Sequence, residues 1–336
     1  MSNMKDVARE AHVSVGTVSN YLNGKTVKKD SATKIEHAIK KLRYIRNDNA
    51  RLLKTQRSPF VVFVTPNVWS PYFSELTYWI QKYLNKSGFK LVLCISENDY
   101  QKEKGYVTMA EEQRVAGIIS VSYSDLTSHV LSNIPLVSIE KESTGNFSLV
   151  TSDNYHGGEI AAEEFKKRGI HNCIFIGSTD KKSVSMVARK SGFVDFCNNN
   201  GLAVTTFDFP PLENKELLSQ ITETVIEYIK QSPDKGNLGI FTHTEEVQLY
   251  ILKALQKSGL KVPEDVQIIG FDGWKLTPRE TISFSAIRQP IEEIAKESVA
   301  QLIQQIMHPD KIKVSRINLP VKFIAGDTTK NEVNNV

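Results

Sequence analysis

From Phe60 onward the chain alternates short apolar runs with amphipathic helical stretches, and few folds satisfy that rhythm. The runs are "FVVFVTP" (60–66), "KLVLCIS" (90–96), "GIISVS" (117–122) and "IPLVSIE" (134–140), then "NCIFIGS" (172–178), "LGIFT" (238–242) and "VQIIGFD" (266–272). Helical patterns fill the gaps near 72–87, 102–114, 157–169, 184–200, 213–231 and 244–258. Strands that are apolar throughout must be covered on both faces, which helices achieve around a parallel sheet. Two such series predict two doubly wound parallel-sheet subdomains, with a ligand cleft between them at the carboxyl ends of the strands.

Residues 1–58 have another texture. They carry 13 Lys/Arg against 5 Asp/Glu, while the remainder carries 29 against 33. A net charge of +4 thus conceals a basic head (13 − 5 = +8) on a mildly acidic body (29 − 33 = −4). Only the head is suited to a polyanion. Val7, Ala8 and Ala11 form one apolar stripe, and Ile35, Ala38, Ile39 and Leu42 form another at helical spacing. Between them lies "SVGTVSNYLNG" (14–24). Ser14 is an N-cap for the backbone N–H of Thr17, and Val13 packs on Val18 as a hydrophobic staple. Val18 and Leu22 share the inner face, and Asn23-Gly24 supplies a left-handed stop. The whole reads as an all-α helix–turn–helix head whose second helix enters the major groove of DNA. Gly16 lets the backbone approach base edges, Val15 meets a thymine methyl and Asn20 pairs with adenine. Ser14, Thr17, Ser19, Tyr21 and Asn23 complete the DNA-facing set, as phosphate contacts that fix register. A helical protein-docking bundle is the alternative on these local features. Residues 47–58, polar and basic, are either a short helix or a linker that orders on binding.

The patterns exclude several other classes. There is no GxSxG, HExxH, P-loop or strand-borne GxGxxG, and the seven histidines lack metal-ligand spacing. No enzyme, cofactor or metal is therefore expected. Asp153, Asn154 and His156 are the nearest approach to acid–base work. No apolar run spans a bilayer, and the start lacks a signal peptide's apolar region. Cys94, Cys173 and Cys197 show no CxxC spacing and read as reduced thiols. The expectation is a cytoplasmic, nucleoid-associated protein with no membrane partner.

"MKDVAREAHVSVGTVSNYLNG" resembles the N-terminus of the lac repressor/galactose repressor family of bacterial transcription regulators. Lys5, Asp6, Val7, Ala8, Ala11, Val13, Ser14, Thr17, Val18, Ser19, Leu22, Asn23 and Gly24 meet that family's pattern. The likeness continues through "NARLLKTQRS", "SPYFSEL", "VTSDNYHGG", "ARKSGF", "LKVPEDVQIIGFDG" and "AIRQP". It implies a homodimer gripping a pseudo-palindromic double-stranded operator. It further implies paired hinge helices in the minor groove, with Asn47, Ala50 and Lys54 at the DNA and Leu53 as the wedge. For Leu53 the alternative is packing against its own body, and Leu52 is a second candidate for that packing. The boundaries follow: a head at 1–46, a hinge at 47–59 and an effector and dimerisation body at 60–330. The N-subdomain covers about 60–155 and 290–318, and the C-subdomain about 156–287 and 319–330.

The family binds a sugar, a sugar phosphate or sometimes a purine between its subdomains. Local motif matches carry that role to Tyr72, Phe73, Arg189, Thr244, Glu245, Asp272, Trp274 and Gln289, with His243 beside them. Aromatic faces would stack on the ligand while Asp and Arg fix hydroxyls or anions. Each also has a structural reading: Tyr72 and Phe73 as core, Arg189 in a surface ion pair, Asp272 as a turn cap. The chain departs from the family pattern at four places. Asn20 stands for an arginine, Arg43 for a glycine, Arg46 for a proline, and Thr244-Glu245 for Asn-Asp. Operator sequence and sugar class therefore do not transfer. The implied mechanism is a two-state switch in which the effector rotates or closes the lobes and respaces the readers. Two alternatives stand beside it: a solute-binding protein without a DNA role, and a family member governed by a partner protein.

Overall fold

The computed structural model describes residues 2–45, 58–121, 130, 134–141, 147–178, 183–209, 215–232, 236–277, 279–281, 284–311 and 314–332. The chain divides into two compact units, Met1–Ser58 and Pro59–Val336.

Among its described residues the first unit has three helices, α1 (Met4–Glu10), α2 (Val15–Leu22) and α3 (Lys29–Leu42). Asn3 caps α1 in a reciprocal capping box with Asp6. Ser14 Oγ caps α2 by accepting the Thr17 N–H at 3.0 Å. Val7, Ala8, Ala11, Val18, Ile35 and Ala38 form its core, and Val13, Tyr21 and Leu22 pack at the margin. The turn after α2 closes at Gly24, where φ is +70°.

The second unit contains two six-stranded sheets. The first lobe is built from β1 (Phe60–Thr65), α4 (Pro71–Lys86), β2 (Lys90–Ile95), α5 (Tyr100–Glu112), β3 (Gly117–Ser120), β4 (Leu136–Ile139) and β5 (Ser148–Ser152). The second lobe follows with α6 (Asn154–Lys167), β6 (Asn172–Ser178), α7 (Val184–Asn199), β7 (Ala203–Phe209), α8 (Lys215–Gln231), β8 (Leu238–Thr242), α9 (Glu245–Lys257) and β9 (Val266–Asp272). A small hairpin, β10 (Lys275–Thr277) and β11 (Glu280–Thr281), precedes β12 (Ala286–Arg288). The chain then returns through α10 (Ile291–Met307) and β13 (Arg316–Leu319) to the first lobe and ends with β14 (Lys322–Ile324) in the second.

The sheet orders are β13-β5-β4-β3-β1-β2 and β14-β12-β9-β8-β6-β7. All pairings within them are parallel except β12 with β14. The apolar strands β1, β3, β4, β6, β8 and β9 are buried on both faces as their composition requires, whereas β2, also read as such a strand, lies at the sheet edge and is largely exposed. In the first lobe α4 and α10 cover one side and α5 the other. In the second, α6 and α7 face α8 and α9 across the sheet. The chain crosses between lobes three times, at Ser152–Asn154, Arg288–Ile291 and Leu319–Lys322, so the site residues near these crossings belong to two sheets at once.

Candidate functional site

Two surfaces gather the sequence candidates. On the head, α2 turns Val18 inward and leaves Val15, Gly16 and Asn20 exposed, with Val15 at 42%. A Cβ at Gly16 would touch only the Ser14 hydroxyl, at 3.6 Å. Among the described residues of the head, therefore, no packing contact demands glycine there. Thr17 and Ser19 are half-buried beside them, and Thr17 Oγ1 lies 2.8 Å from Ser14 Oγ. Tyr21 is shared with the head's core. The Asn23 amide already donates to the Ser19 carbonyl at 2.8 Å, so its side chain serves the helix end. Asn47, Ala50, Leu53 and Lys54 lie outside the described residues.

In the body, Arg189, Asp272 and Gln289 meet although they come from α7, the end of β9 and the segment after β12. Arg189 Nε donates to Asn154 Oδ1 at 2.8 Å and Nη1 to the His243 carbonyl at 2.7 Å. Its guanidinium lies 3.7 Å from Asp272 Oδ1 and 3.6 Å from the centre of the Phe271 ring. Gln289 Nε2 donates to Asp272 at 2.7 Å, and Gln289 Oε1 accepts from the Ser152 hydroxyl at 2.7 Å. Glu140 closes the circuit, accepting from Asn154 Nδ2 at 2.8 Å and from the Ser152 N–H at 2.7 Å. Glu140 and Ser152 belong to the first lobe and Arg189 and Asp272 to the second, so this ring of hydrogen bonds joins them. The local motifs do not single out Asn154 as a binding residue, nor Ser152 or Glu140 at all.

Burial sets the electrostatics. Asp272 is pushed up to about 6, chiefly by desolvation, with Arg189 and Gln289 opposing. His243 is pushed down to about 3 because burial and the Arg189 charge both disfavour a second cation, so it is neutral. Its Nδ1 and the Trp274 Nε1 are buried with no hydrogen-bond partner among the described residues.

The remaining candidates surround this ring. Thr244 caps α9, its hydroxyl accepting the Val247 N–H at 3.4 Å. Glu245 is buried, accepts the Trp274 N–H and is pushed up to about 8 by desolvation. Tyr72 and Phe73 at the start of α4 pack in the first-lobe core, and the Trp274 ring joins them from the other lobe. A cavity of about 100 Å³ lies beside the ring, lined in part by Glu140, Asp153, Asn154 and Ser185. A larger concavity of about 570 Å³ lies elsewhere, between α8 and α9, where Thr222, Ile226, Tyr250 and Lys253 line it. That groove gathers no ring of buried charge, whereas the smaller cavity is lined by Glu140, Ser152 and Asn154 of the ring, though not by Arg189, Asp272 or Gln289.

Family models match segments in both units of the chain. The family model for bacterial regulatory proteins of the lacI family matches residues 3–47, and a periplasmic binding protein-like domain matches 162–329. A sucrose operon repressor of Streptococcus mutans is 30% identical over 334 residues, covering 98% of this chain and 99% of its own. A periplasmic binding protein/LacI transcriptional regulator from Alkaliphilus metalliredigens, solved with D-xylulofuranose, is 27% identical with a TM-score of 0.70, and the match covers 82% of this chain and all (100%) of that one. The lac repressor dimer bound to operator shares the fold at 20% identity and a TM-score of 0.81, covering 98% and 99% of the two chains.

Proposed function

Since the chain belongs to the lacI family of bacterial regulatory proteins, and is a DNA-binding transcriptional repressor rather than an enzyme, we propose that a neutral sugar bound between its lobes controls its hold on operator DNA. The carrying observation is the buried ring of Arg189, Asp272, Gln289 and Asn154. Carboxylate, guanidinium and amide groups at such spacing read vicinal hydroxyls by accepting from one and donating to another.

Charge favours a neutral ligand over a sugar phosphate. Arg189 is already matched by Asp272, and along the cavity Glu140 and Asp153 outnumber the one lining cation, Arg316. Trp274, Tyr72 and Phe73 belong to one apolar cluster that would wall the ligand once the lobes part, and Thr244 stands at the N-terminus of α9. Glu245 serves the same site from behind, through the Trp274 amide. The cavity is small beside the roughly 300–1,000 Å³ of ordinary ligand pockets, so an effector enters only as the lobes part. The sugar named with the relative from Alkaliphilus metalliredigens supports the ligand class.

On the DNA side, Ser14, Val15, Gly16, Thr17, Ser19, Asn20 and Tyr21 face the major groove, and Asn47, Ala50, Leu53 and Lys54 the minor groove of a pseudo-palindromic operator. A second copy completes the reader. Edge strand β2 exposes Leu93 and Ile95, at 39% and 36%, beside exposed Tyr78 and Tyr100. An apolar sheet edge of that kind suits a homodimer interface. A cytoplasmic site of action follows from the DNA target.

Calorimetry with a panel of neutral sugars and their phosphates tests the reading. A neutral sugar should bind, and Asp272→Asn should weaken it by about 10- to 100-fold, as the loss of a charge-assisted pair implies. Binding of phosphates alone, or binding indifferent to Asp272, would contradict it.

A further inference from the structure

The turn that carries Asp272 is anchored from both lobes. Asp272 has φ +117° and Gly273 follows at +68°, a conformation that neighbours must maintain. Glu245 holds the turn from within its own lobe through the Trp274 N–H. Beyond that point the chain reaches across, and the Trp274 ring lies with Tyr72, Phe73 and Leu76 in the first-lobe core.

Arg288, the last residue of β12, makes the second crossing. Its Nη1 donates to the Gly273 carbonyl. Its Nη2 donates to both carboxylate oxygens of Glu75 on α4, at 2.8 and 3.0 Å. The two side chains are 10% and 14% exposed, so solvent screens the pair little. A Cβ on Gly273 would lie 2.7 Å from both Cα and Cδ of Arg288, so the close seating needs glycine there.

We propose that Arg288, paired with Glu75, is a positioning residue of the cleft that fixes the Asp272–Trp274 turn of one lobe to α4 of the other. Its planar fork serves two partners in different directions, which a lysine ammonium on one flexible stem does not reproduce. Removing either charge strands its buried partner and frees the turn. Because Asp272 also belongs to the hydrogen-bonded ring, an effector that draws on Asp272 works against this anchorage. The anchorage stands on the fold, and only this last consequence rests on the function proposed above.

The test uses the full chain with Trp69→Phe and Trp79→Phe, which leaves Trp274 as the sole one of three tryptophans; because Trp79 Nε1 also donates to Glu75 Oε1 at 3.4 Å, every variant is compared with this background. Acrylamide should quench this buried indole weakly. Arg288→Met and Glu75→Gln should each raise the quenching constant about threefold, with the double variant no higher than either single, as expected for partners in one contact. Arg288→Lys should fall between, with far-ultraviolet circular dichroism unchanged throughout. Unchanged quenching in the singles, or additive increases in the double, would overturn the proposal. If the variants do not fold, hydrogen exchange on the unsubstituted chain decides. Amides of 273–277 should exchange with α4, and exchange about tenfold faster than α4 would overturn it. No arm contains sugar or DNA, so failure here leaves the effector reading intact, and failure of the calorimetry leaves the anchorage intact.

Discussion

At the scale of single residues, the departures from the family pattern have physical consequences. Arg43 ends α3 with φ +45°, a left-handed cap that glycine adopts without strain. Arg43→Gly should stabilise the head by about 0.5–1 kcal/mol, relief of Cβ strain being partly offset by glycine's greater chain entropy. Slower exchange of the α3 amides would report it, and faster exchange would contradict it. Glu245 gives a pH signature. Its folded pKa of about 8 lies above its ordinary value of 4.5, so folding favours the protonated form. The associated stability is complete below the ordinary value and disappears as pH rises through about 8. Asp272 acts in the same direction between its ordinary 3.8 and about 6. Glu245→Gln keeps an acceptor for Trp274 but cannot ionise. Relative to the parent it should gain on the order of 2–4 kcal/mol between pH 5 and 9 in urea unfolding, and parallel pH profiles would refute the assignment.

At the scale of elements, α6 and α7 meet through their glycines. A Cβ on Gly158 would sit 2.1 Å from the Arg189 carbonyl oxygen, and one on Gly192 would sit 1.9 Å from the Tyr155 oxygen. Gly192→Ala must therefore push the helices apart at a cost of about 2–3 kcal/mol. Because Arg189 lies one turn away on α7, the variant should lose effector affinity as well as stability. Retention of full affinity would show that Arg189 does not depend on that packing. The buried strands and the helices between them were legible because β1, β3, β6, β8 and β9 are apolar on both faces. The edge strand β2 was legible too, but β7 and β13 were not: they expose several residues and carry Thr, Asp, Arg and Asn among their apolar positions. Helix α10 has a clear stripe in Ile291, Ile294, Ala295, Val299 and Leu302 that the sequence reading passes over. Which lobe each late strand joins depends on long-range pairing and cannot be read from spacing.

At the scale of the whole molecule, the charge division of the sequence coincides with a structural one: a basic helical head and an acidic body of two six-stranded sheets. Within that cleft the sequence motifs located Arg189, Asp272 and Gln289 but not what they bond to. Ser152 and Glu75 lie inside family-like stretches and Glu140 ends an apolar run, but nothing local gives them these partners, since their roles arise only where crossings bring the two lobes together. The central claim is that the cleft and the reader are coupled. Purified protein titrated by fluorescence anisotropy against DNA from its own upstream region, with and without the sugar that calorimetry identifies, tests it most directly. The account predicts tight sequence-specific binding whose affinity the sugar changes by about 5- to 150-fold, the usual range of allosteric coupling. Sequence-specific binding that the sugar leaves unaltered, or no specific binding under any condition, would contradict it.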